Sequence, residues 1–380
     1  MSSSCNVWIY LTHACNLRCN YCYQAHVNKK MSISTATASI NWAFAAAQEN
    51  KSCKSLSFMF YGGEPLINKE AFFTSVNHAK ILSKNTKIDV KFSILTNATL
   101  LTKKIFDFIV DNNIKMQISI DGSPENHNIN RKTIYGKGSF DLIGGNLSLS
   151  QVAAYKNVVA SLVVNPSNVH LFSESINYIV SLGFNTLIFH LALEKTNIWD
   201  NNIMDIFREE VQKVIHNNCI RVVNNKVLSN SYISPLNSMA EKHISWKNSS
   251  KDQLLDEDNN TICQAAKSDW TIDINGDIYP CSRIVDDVNL KSEANRYKLG
   301  NVHLGIWDYN NLNAFRSWLP RKDPEDQCAK CHWKYICPNQ CYALFVGIDN
   351  NKGKPWPNIC KTTDVMAESI EKYIINNSSI

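Results

Sequence analysis

The stretch from Thr12 to Gln24 reads THACNLRCNYCYQ and sets Cys15, Cys19 and Cys22 in the spacing CxxxCxxC. Thiolates are soft ligands, and three of them on one short loop reach three corners of a single iron–sulfur cube. A [4Fe-4S] cluster usually takes four cysteines, so a loop offering three leaves one iron to bind something else. Half of a zinc site is the competing reading of such a run. Just before it, Val7 to Leu11 reads as a strand, and the cysteines follow at its C-terminal end. That is the end at which a β/α barrel gathers its chemistry.

Working outward, Ser34 to Gln48 has helical spacing of Ala, Ile, Trp and Phe, with Ser34 or Thr35 as N-cap. A strand over Ser55 to Tyr61 ends in Gly62-Gly63-Glu64-Pro65. Then come a helix from Lys69 to Ser83, a strand from Ile88 to Leu95, a helix from Thr102 to Asn112 and a strand from Lys115 to Ile120. Helices near Gly144 to Tyr155 and His170 to Leu182 separate strands at Val158 to Val164 and Thr186 to Leu191. Strand and helix thus alternate six times, which predicts an α/β fold with a parallel sheet and helices outside. After Glu194 the rhythm fails: Ile198 to Val227 reads as helical, and Ser229 to Asn260 as a polar linker or surface loop.

The cysteine loop resembles the signature of the radical S-adenosylmethionine (SAM) superfamily, and the six units resemble its partial (β/α)6 barrel. The resemblance implies that the open iron chelates SAM and that the cluster's electron yields a 5′-deoxyadenosyl radical. Tyr21 matches the aromatic that the family sets against adenine. Gly62-Gly63-Glu64-Pro65 resembles the GGEP turn that holds the SAM amino group, where glycine lets backbone approach a ligand. Ser119-Ile120-Asp121-Gly122, followed by His127 and Arg131, resembles a segment in which Ser119 and Arg131 bind SAM, the arginine through its cationic fork. Asn97, at the end of the third strand, is expected against the ribose or the substrate.

Seven of the thirteen cysteines lie between Cys263 and Cys360. Cys263, Gly276, Cys281, Cys328, Cys331, Cys337, Cys341 and Cys360 fall in a spacing that resembles the SPASM domain with its two auxiliary [4Fe-4S] clusters, three clusters in all. Trp270 to Ile274 and Asp277 to Tyr279 read as a hairpin turning at Asn275-Gly276. By the resemblance, Cys328, Cys331, Cys337 and Cys360 ligate the outer cluster, and Cys263, Cys281 and Cys341 the inner one. No cysteine lies between Cys219 and Cys263, so the inner cluster's fourth ligand is Cys219 folded back, a non-cysteine group or none. The expected division is 1–195, the radical SAM core; 196–260, a helical and polar linker; and 261–380, the SPASM domain. Cys5 and Cys53 fit no motif and read as small buried hydrophobes, and His190 as a core histidine.

No apolar run nears the roughly 20 residues that span a bilayer, and no signal peptide precedes the first strand. The expectation is a cytoplasmic protein whose thirteen cysteines serve metal or redox chemistry. The net charge of +5 is spread without a basic block and gives no case for nucleic acid. The resemblance implies an oxidoreductase acting on a peptide, supplied with electrons by a protein such as flavodoxin or ferredoxin. One branch of the family oxidises a Cys or Ser of sulfatases to formylglycine and carries an aspartate base after the cysteine equivalent to Cys281. Here Ser282 and Arg283 follow instead, and a serine is a poor base near neutral pH. Only fourteen residues precede Cys15, too few for an added leader-binding domain. The expectation is therefore a maturase that crosslinks aromatic residues of a ribosomally made precursor peptide, in the manner of darobactin or three-residue cyclophanes.

Overall fold

The computed structural model describes residues 4–24, 26–50, 53–145, 147–192, 198–248, 264–286, 297–317, 327–337 and 357–375. The chain folds as two compact units: one comprises Met1–Ile118, Lys132–Ser148 and Gln264–Trp318, the other Ser119–Arg131, Leu149–Cys263 and Leu319–Ile380.

The first unit is built on β1 (Ser4–Thr12), whose alternation buries Cys5, Val7 and Ile9 on one face before Tyr10, Leu11 and Thr12 are buried in succession. It is followed by α1 (Ile33–Glu49), β2 (Ser55–Gly62), α2 (Lys69–Thr86), β3 (Asp89–Thr96), α3 (Lys103–Asp111) and β4 (Lys115–Ser119). β1 pairs in parallel with β2, β2 with β3 and β3 with β4. Phe58 stacks on Phe92 at 6.1 Å and Phe60 meets Phe72 edge-on at 5.0 Å, so the aromatics of β2 carry the contact between neighbouring strands and α2. Each such fully buried ring contributes about 1.5–3 kcal/mol. α1 is capped by Ser32, which accepts from the Thr35 amide at 3.0 Å, two residues ahead of the expected cap.

The C-terminal hairpin joins this unit. In the structure β10 is Asp269–Ile272 and β11 is Asp277–Tyr279, and β10 lies parallel to β1 on the edge opposite β2. The first unit's sheet therefore runs β13-β12-β11-β10-β1-β2-β3-β4, with the short strands β12 (Gly300–Asn301) and β13 (Gly305–Ile306) antiparallel at its far edge.

The second unit holds α4 (Pro124–Asn130), α5 (Leu149–Ala153), β5 (Val158–Val164), α6 (Phe172–Ser181) and β6 (Thr186–Leu191), with β5 and β6 parallel. The helix expected over Gly144 to Tyr155 shrinks to α5 because Gly144 and Gly145 take φ of 85° and 62°, which no right-handed helix accommodates. The region expected as helix and linker is richer than its composition suggests. α7 (Asn201–Asn217) stops at Asn217, and Arg221–Val223 and Lys226–Leu228 form the hairpin β7–β8 around Asn224 and Asn225, both at positive φ, as a tight hairpin turn demands. β9 (Tyr232–Ser234) then adds to β6 in parallel, and α8 (Leu236–Asn248) follows. Its apolar stripe of Leu236, Met239 and Ala240 is spaced for a helix but diluted by Ser, Asn and Lys. Among the described residues no helix is long and apolar enough to cross a membrane.

Candidate active site

The cysteine loop leaves β1 through Thr12, whose hydroxyl donates to the Lys29 carbonyl at 2.7 Å and accepts from the Ala14 amide at 3.0 Å. The loop closes on itself: the Cys22 amide donates to the Cys19 carbonyl at 3.0 Å, and Arg18 donates from one nitrogen to the carbonyls of Cys15 and Leu17. The Cys15 sulfur accepts from the Leu17 amide at 3.4 Å. Burial pushes the Cys15 thiol up to about 12, with the charges of Glu64, Cys19 and Cys22 adding to the rise. Three thiols near enough to repel one another when ionised, on a loop bent by its own amides, are a donor set that fits an iron–sulfur cluster. A positive metal centre removes the penalty by deprotonating its thiols outright.

Gly62 and Gly63 end β2 against this loop. A Cβ on Gly62 would lie 2.1 Å from the Thr12 carbonyl oxygen, and one on Gly63 would lie 2.3 Å from that of Ala14. The Gly63 amide donates to the Thr12 carbonyl and the Glu64 amide to the Ala14 carbonyl, both at 2.9 Å. Glu64 is fully buried and ties β2 to β3, accepting from the Leu66 amide at 3.0 Å, the Thr96 hydroxyl at 2.7 Å and the Asn97 amide at 2.7 Å. Burial raises it to about 7 against the pull of those three donors. Asn97 then reaches back, its side-chain nitrogen 3.0 Å from the Asn16 oxygen and 3.9 Å from the Cys15 sulfur. Cys15, Gly62, Gly63, Glu64 and Asn97 are thus brought together at the ends of three adjacent strands. Tyr21 is half-buried within the same loop.

Sequence reasoning gave no role to Tyr23, whose hydroxyl lies 2.8 Å from that of Tyr61, with the Arg283 guanidinium 5.6 Å above its ring. Burial, first of all, raises the Tyr23 phenol well above its ordinary value. The Tyr10 hydroxyl donates to the Ser282 carbonyl at 2.8 Å, so the turn after Cys281 is fastened to β1 and to the cysteine loop by aromatic residues. Only their aromatic character marks them in the sequence.

In the second unit, Ser119 begins the segment that carries Asp121, His127 and Arg131. Arg131, 6% exposed, pairs with Asp121 through Nε at 2.9 Å and Nη2 at 3.0 Å. Asp121 also accepts from the Val163 amide at 3.0 Å, and its own amide donates to Nδ1 of His127 at 3.2 Å. Burial drives His127 down to about 3, with Arg131 adding to the fall, so the imidazole is a neutral acceptor.

Among the C-terminal cysteines, Cys281 precedes the helix Ser282–Asp286 and accepts from the Arg283 amide at 3.4 Å. In the second unit Cys331, Cys337 and Cys360 gather: burial raises Cys360 to about 11, with Cys337, Asp364 and Cys331 adding to it. The Cys331 amide donates to the Cys328 carbonyl at 3.3 Å, which bends that pair into one turn. Cys263 and Cys341 lie outside the described residues. Cys219 is exposed at the end of α7, and His190 is exposed on β6 rather than in the core. Cys5 and Cys53 are buried free thiols joined by a side-chain hydrogen bond. Among the described residues no three His, Cys, Asp or Glu side chains converge as they do around a single metal ion. Ligands of a cube bind separate irons and need no such convergence.

A parallel α/β sheet with a three-cysteine loop at the end of β1, followed by a second cysteine-rich region, defines an iron–sulfur enzyme. Residues 9–205 match the profile of the Radical SAM superfamily, and residues 263–332 match that of SPASM, an iron-sulfur cluster-binding domain. The chain belongs to the radical SAM superfamily, and with it come SAM and iron–sulfur chemistry. It is similar to the cysteine-type anaerobic sulfatase-maturating enzyme of Clostridium novyi, 24% identical over 381 residues that cover 96% of this chain and 92% of that one. It is also similar to the mycofactocin maturase MftC of Mycolicibacterium smegmatis, 23% identical over 90% of this chain and 80% of the other. Among solved structures, anSMEcpe with bound AdoMet and Cp18Cys peptide superposes with a TM-score of 0.77 at 19% identity, covering 99% of each chain. SuiB of Streptococcus suis bound to the precursor peptide SuiA gives 0.57 at 16% identity, over 93% of this chain and 75% of that one. These two likenesses show the fold.

The expected aromatic crosslink is overturned by these relatives. It rested on chain length and on the lack of an added leader-binding domain, with Ser282 counting against the sulfatase-maturating alternative. A sulfatase-maturating enzyme that matches over 92% of its own length removes length as a discriminator. Three cysteine-type sulfatase-maturating enzymes, from two Clostridium species, align across most of this chain despite Ser282.

Proposed function

We propose that this chain is a peptide-oxidising enzyme of the sulfatase-maturating type, converting a cysteine or serine side chain of its substrate to formylglycine. The observation that carries this reading is the similarity to the Clostridium novyi enzyme along nearly the whole of both chains. In this reading Cys15, Cys19 and Cys22 hold the SAM cluster at the mouth of a partial (β/α)6 barrel. Tyr21, Gly62, Gly63, Glu64, Asn97, Ser119 and Arg131 would each bind SAM. Cys328, Cys331, Cys337 and Cys360 hold an outer auxiliary cluster, and Cys263, Cys281 and Cys341 an inner one. When bound, the first cluster and SAM together supply the radical that removes hydrogen from an unactivated carbon.

The protein's own share is positional. Asn97 and the Leu17 amide are aimed at the Cys15 sulfur, and donors to a ligating sulfur tune a cluster's potential. Glu64 locks the ends of β2 and β3, so that Gly63 and Asn97 keep their distance from the loop. Asp121 holds the Arg131 guanidinium plane, which suits a fork meant for a carboxylate. Oxidising the side chain removes two hydrogens: from serine this gives the aldehyde directly, and from cysteine a thioaldehyde that water hydrolyses with loss of hydrogen sulfide. When bound, the auxiliary clusters would offer a route for the second electron, and a protein of the flavodoxin or ferredoxin kind would be the reductant.

The test is anaerobic incubation of the reconstituted enzyme, SAM and a reductant with a sulfatase-derived peptide carrying the target cysteine. Mass spectrometry and an aldehyde-reactive probe read the product. Formylglycine is expected in wild type and absent in Cys19→Ala together with 5′-deoxyadenosine. An unmodified peptide while SAM is still cleaved would overturn the proposal.

A further inference from the structure

Cys5 and Cys53 belong to no motif of the site, yet they meet at the start of the strand whose other end carries the cysteine loop. β1 and β2 pair with Ser4 opposite Ser55 and Cys5 opposite Leu56, which brings Cys53, just ahead of β2, to the beginning of β1. Both are free thiols, 7% and 6% exposed, joined by a side-chain hydrogen bond. A second bond sets its direction: the Cys53 thiol donates to the Ser55 carbonyl at 3.4 Å, so its sulfur accepts from the Cys5 thiol. The Cys53 amide is held in turn by the Asn50 carbonyl at 2.8 Å. Burial, then the bond to Cys53 and the charges of Cys53 and Asp269, push the Cys5 thiol up to about 12, so it stays protonated at neutral pH.

A disulfide requires two sulfurs in one place, and here they already touch. We propose that Cys5 and Cys53 are a redox-modification site, at which hydrogen peroxide closes a disulfide that ties β1 to the entry of β2. The Cys53 sulfur attacks the peroxide and becomes a sulfenic acid, its proton leaving with the departing oxygen as water. The Cys5 sulfur then displaces the sulfenic oxygen, which takes the Cys5 proton and leaves as a second water. The two thiols give up two electrons and two protons, and the peroxide gains both. Reactivity follows exposure and thiolate character; the pair is buried and Cys5 is held as a thiol, so closure is expected to be slower than oxidation of the exposed Cys219. The ring of chain closed in this way contains Cys15, Cys19 and Cys22. A cross-link restrains the unfolded chain more than the folded one, so the segment that must hold a cluster keeps its two ends together when the cluster is lost.

The experiment treats the reconstituted full chain with hydrogen peroxide, blocks the remaining thiols with N-ethylmaleimide under denaturing conditions and maps the unreduced peptides by mass spectrometry. The expected product is a Cys5 peptide joined to a Cys53 peptide, two hydrogens lighter than the separate thiols and parted by dithiothreitol. Recovery of both as maleimide adducts at long exposure, after Cys219 has been fully oxidised, overturns the inference. Pairing of either one with a cluster cysteine in place of its neighbour also overturns it. Thermal unfolding reads the tie itself. Cys5→Ala and Cys53→Ala each put a small apolar residue in a buried place and are expected to fold. The gap in melting temperature between wild type and either variant is expected to widen after peroxide and to close again with dithiothreitol; an unchanged gap overturns the restraint. Before treatment both variants are expected to keep wild-type iron, and iron loss in either would mark its cysteine as a ligand and overturn the assignment.

Discussion

Replacing Gly63 with alanine tests how tightly the glycine turn and the cysteine loop are coupled. The added Cβ would lie 2.3 Å from the Ala14 carbonyl oxygen, 2.6 Å from its carbon and 2.9 Å from the His13 oxygen, all of them backbone atoms that no rotamer change can move. Real Cβ contacts hardly ever fall below 3.0 Å, so one side must give by about 0.7 Å. The two 2.9 Å amide bonds from Gly63 and Glu64 to the loop, and the Glu64 clamp on β3, resist movement of the turn. The loop yields instead, and Ala14 is bonded directly to Cys15. Metal–ligand distances tolerate only about 0.2 Å, so the displacement is several times what a cluster accepts. Overpacking of this kind costs about 1–3 kcal/mol, a modest loss of stability beside a severe loss of metal. Gly63→Ala is expected to melt somewhat lower than wild type and to lose one cluster's share of iron after anaerobic reconstitution, along with 5′-deoxyadenosine formation. Gly136→Ala is the control: its positive φ strains an alanine, but the added Cβ meets nothing within 4 Å, and the variant is expected to keep its iron. Full iron and undiminished SAM cleavage in Gly63→Ala would refute the coupling.

Glu64→Gln turns one acceptor oxygen into a donor facing an amide, an expected loss of about 1–3 kcal/mol in chemical denaturation. Because burial raises Glu64 to about 7, the folded state holds a proton that the unfolded chain has released. The stabilisation from that proton is complete below the unfolded value of 4.5 and is lost as pH rises through 7. Between pH 4 and 8 the wild type should therefore lose up to about 3 kcal/mol relative to Glu64→Gln, and parallel pH profiles would refute it. Asp121→Asn strands the buried Arg131 guanidinium and is expected to cost about 3–5 kcal/mol. A drop below about 1 kcal/mol would mean the pair is not structural. Ser282→Asp supplies a carboxylate at the position where the formylglycine-forming branch has its base. It is expected to raise the aldehyde formed per SAM cleaved; an unchanged ratio would mean that a group elsewhere takes the proton.

The parts legible in the sequence were those in which chemistry and periodicity are local. Three cysteines in eight residues, a glycine pair at a strand end and six rounds of alternation are each written within one window. The linker misled because its signals are weak one by one. Asn224-Asn225 is a hairpin turn only once both residues take positive φ, and Leu236, Met239 and Ala240 form a stripe thinned by polar neighbours. The pairing of β10 with β1 spans more than 260 positions, and periodicity says nothing at that range. The links from Tyr10 to Ser282 and from Tyr23 to Arg283 are equally non-local.

Those long-range links bear on the departure at Ser282. An aspartate there would stand as a base on a turn otherwise free to adjust, but here the turn's backbone is held by Tyr10 and its next side chain lies over Tyr23. The turn after Cys281 is therefore fixed without help from the side chain at 282, and a carboxylate can be introduced there without rebuilding it. The Ser282 contact to Tyr10 runs through the backbone carbonyl, which the substitution keeps. Any change in product ratio in Ser282→Asp thus reports proton transfer rather than a displaced loop. Tyr10→Phe provides the complementary measurement: it removes one of the two tethers on the turn, leaves Arg283 over Tyr23, and keeps the serine in place. If the ratio moves in Tyr10→Phe and not in Ser282→Asp, the position of the Cys281 turn governs the chemistry and the identity of residue 282 does not.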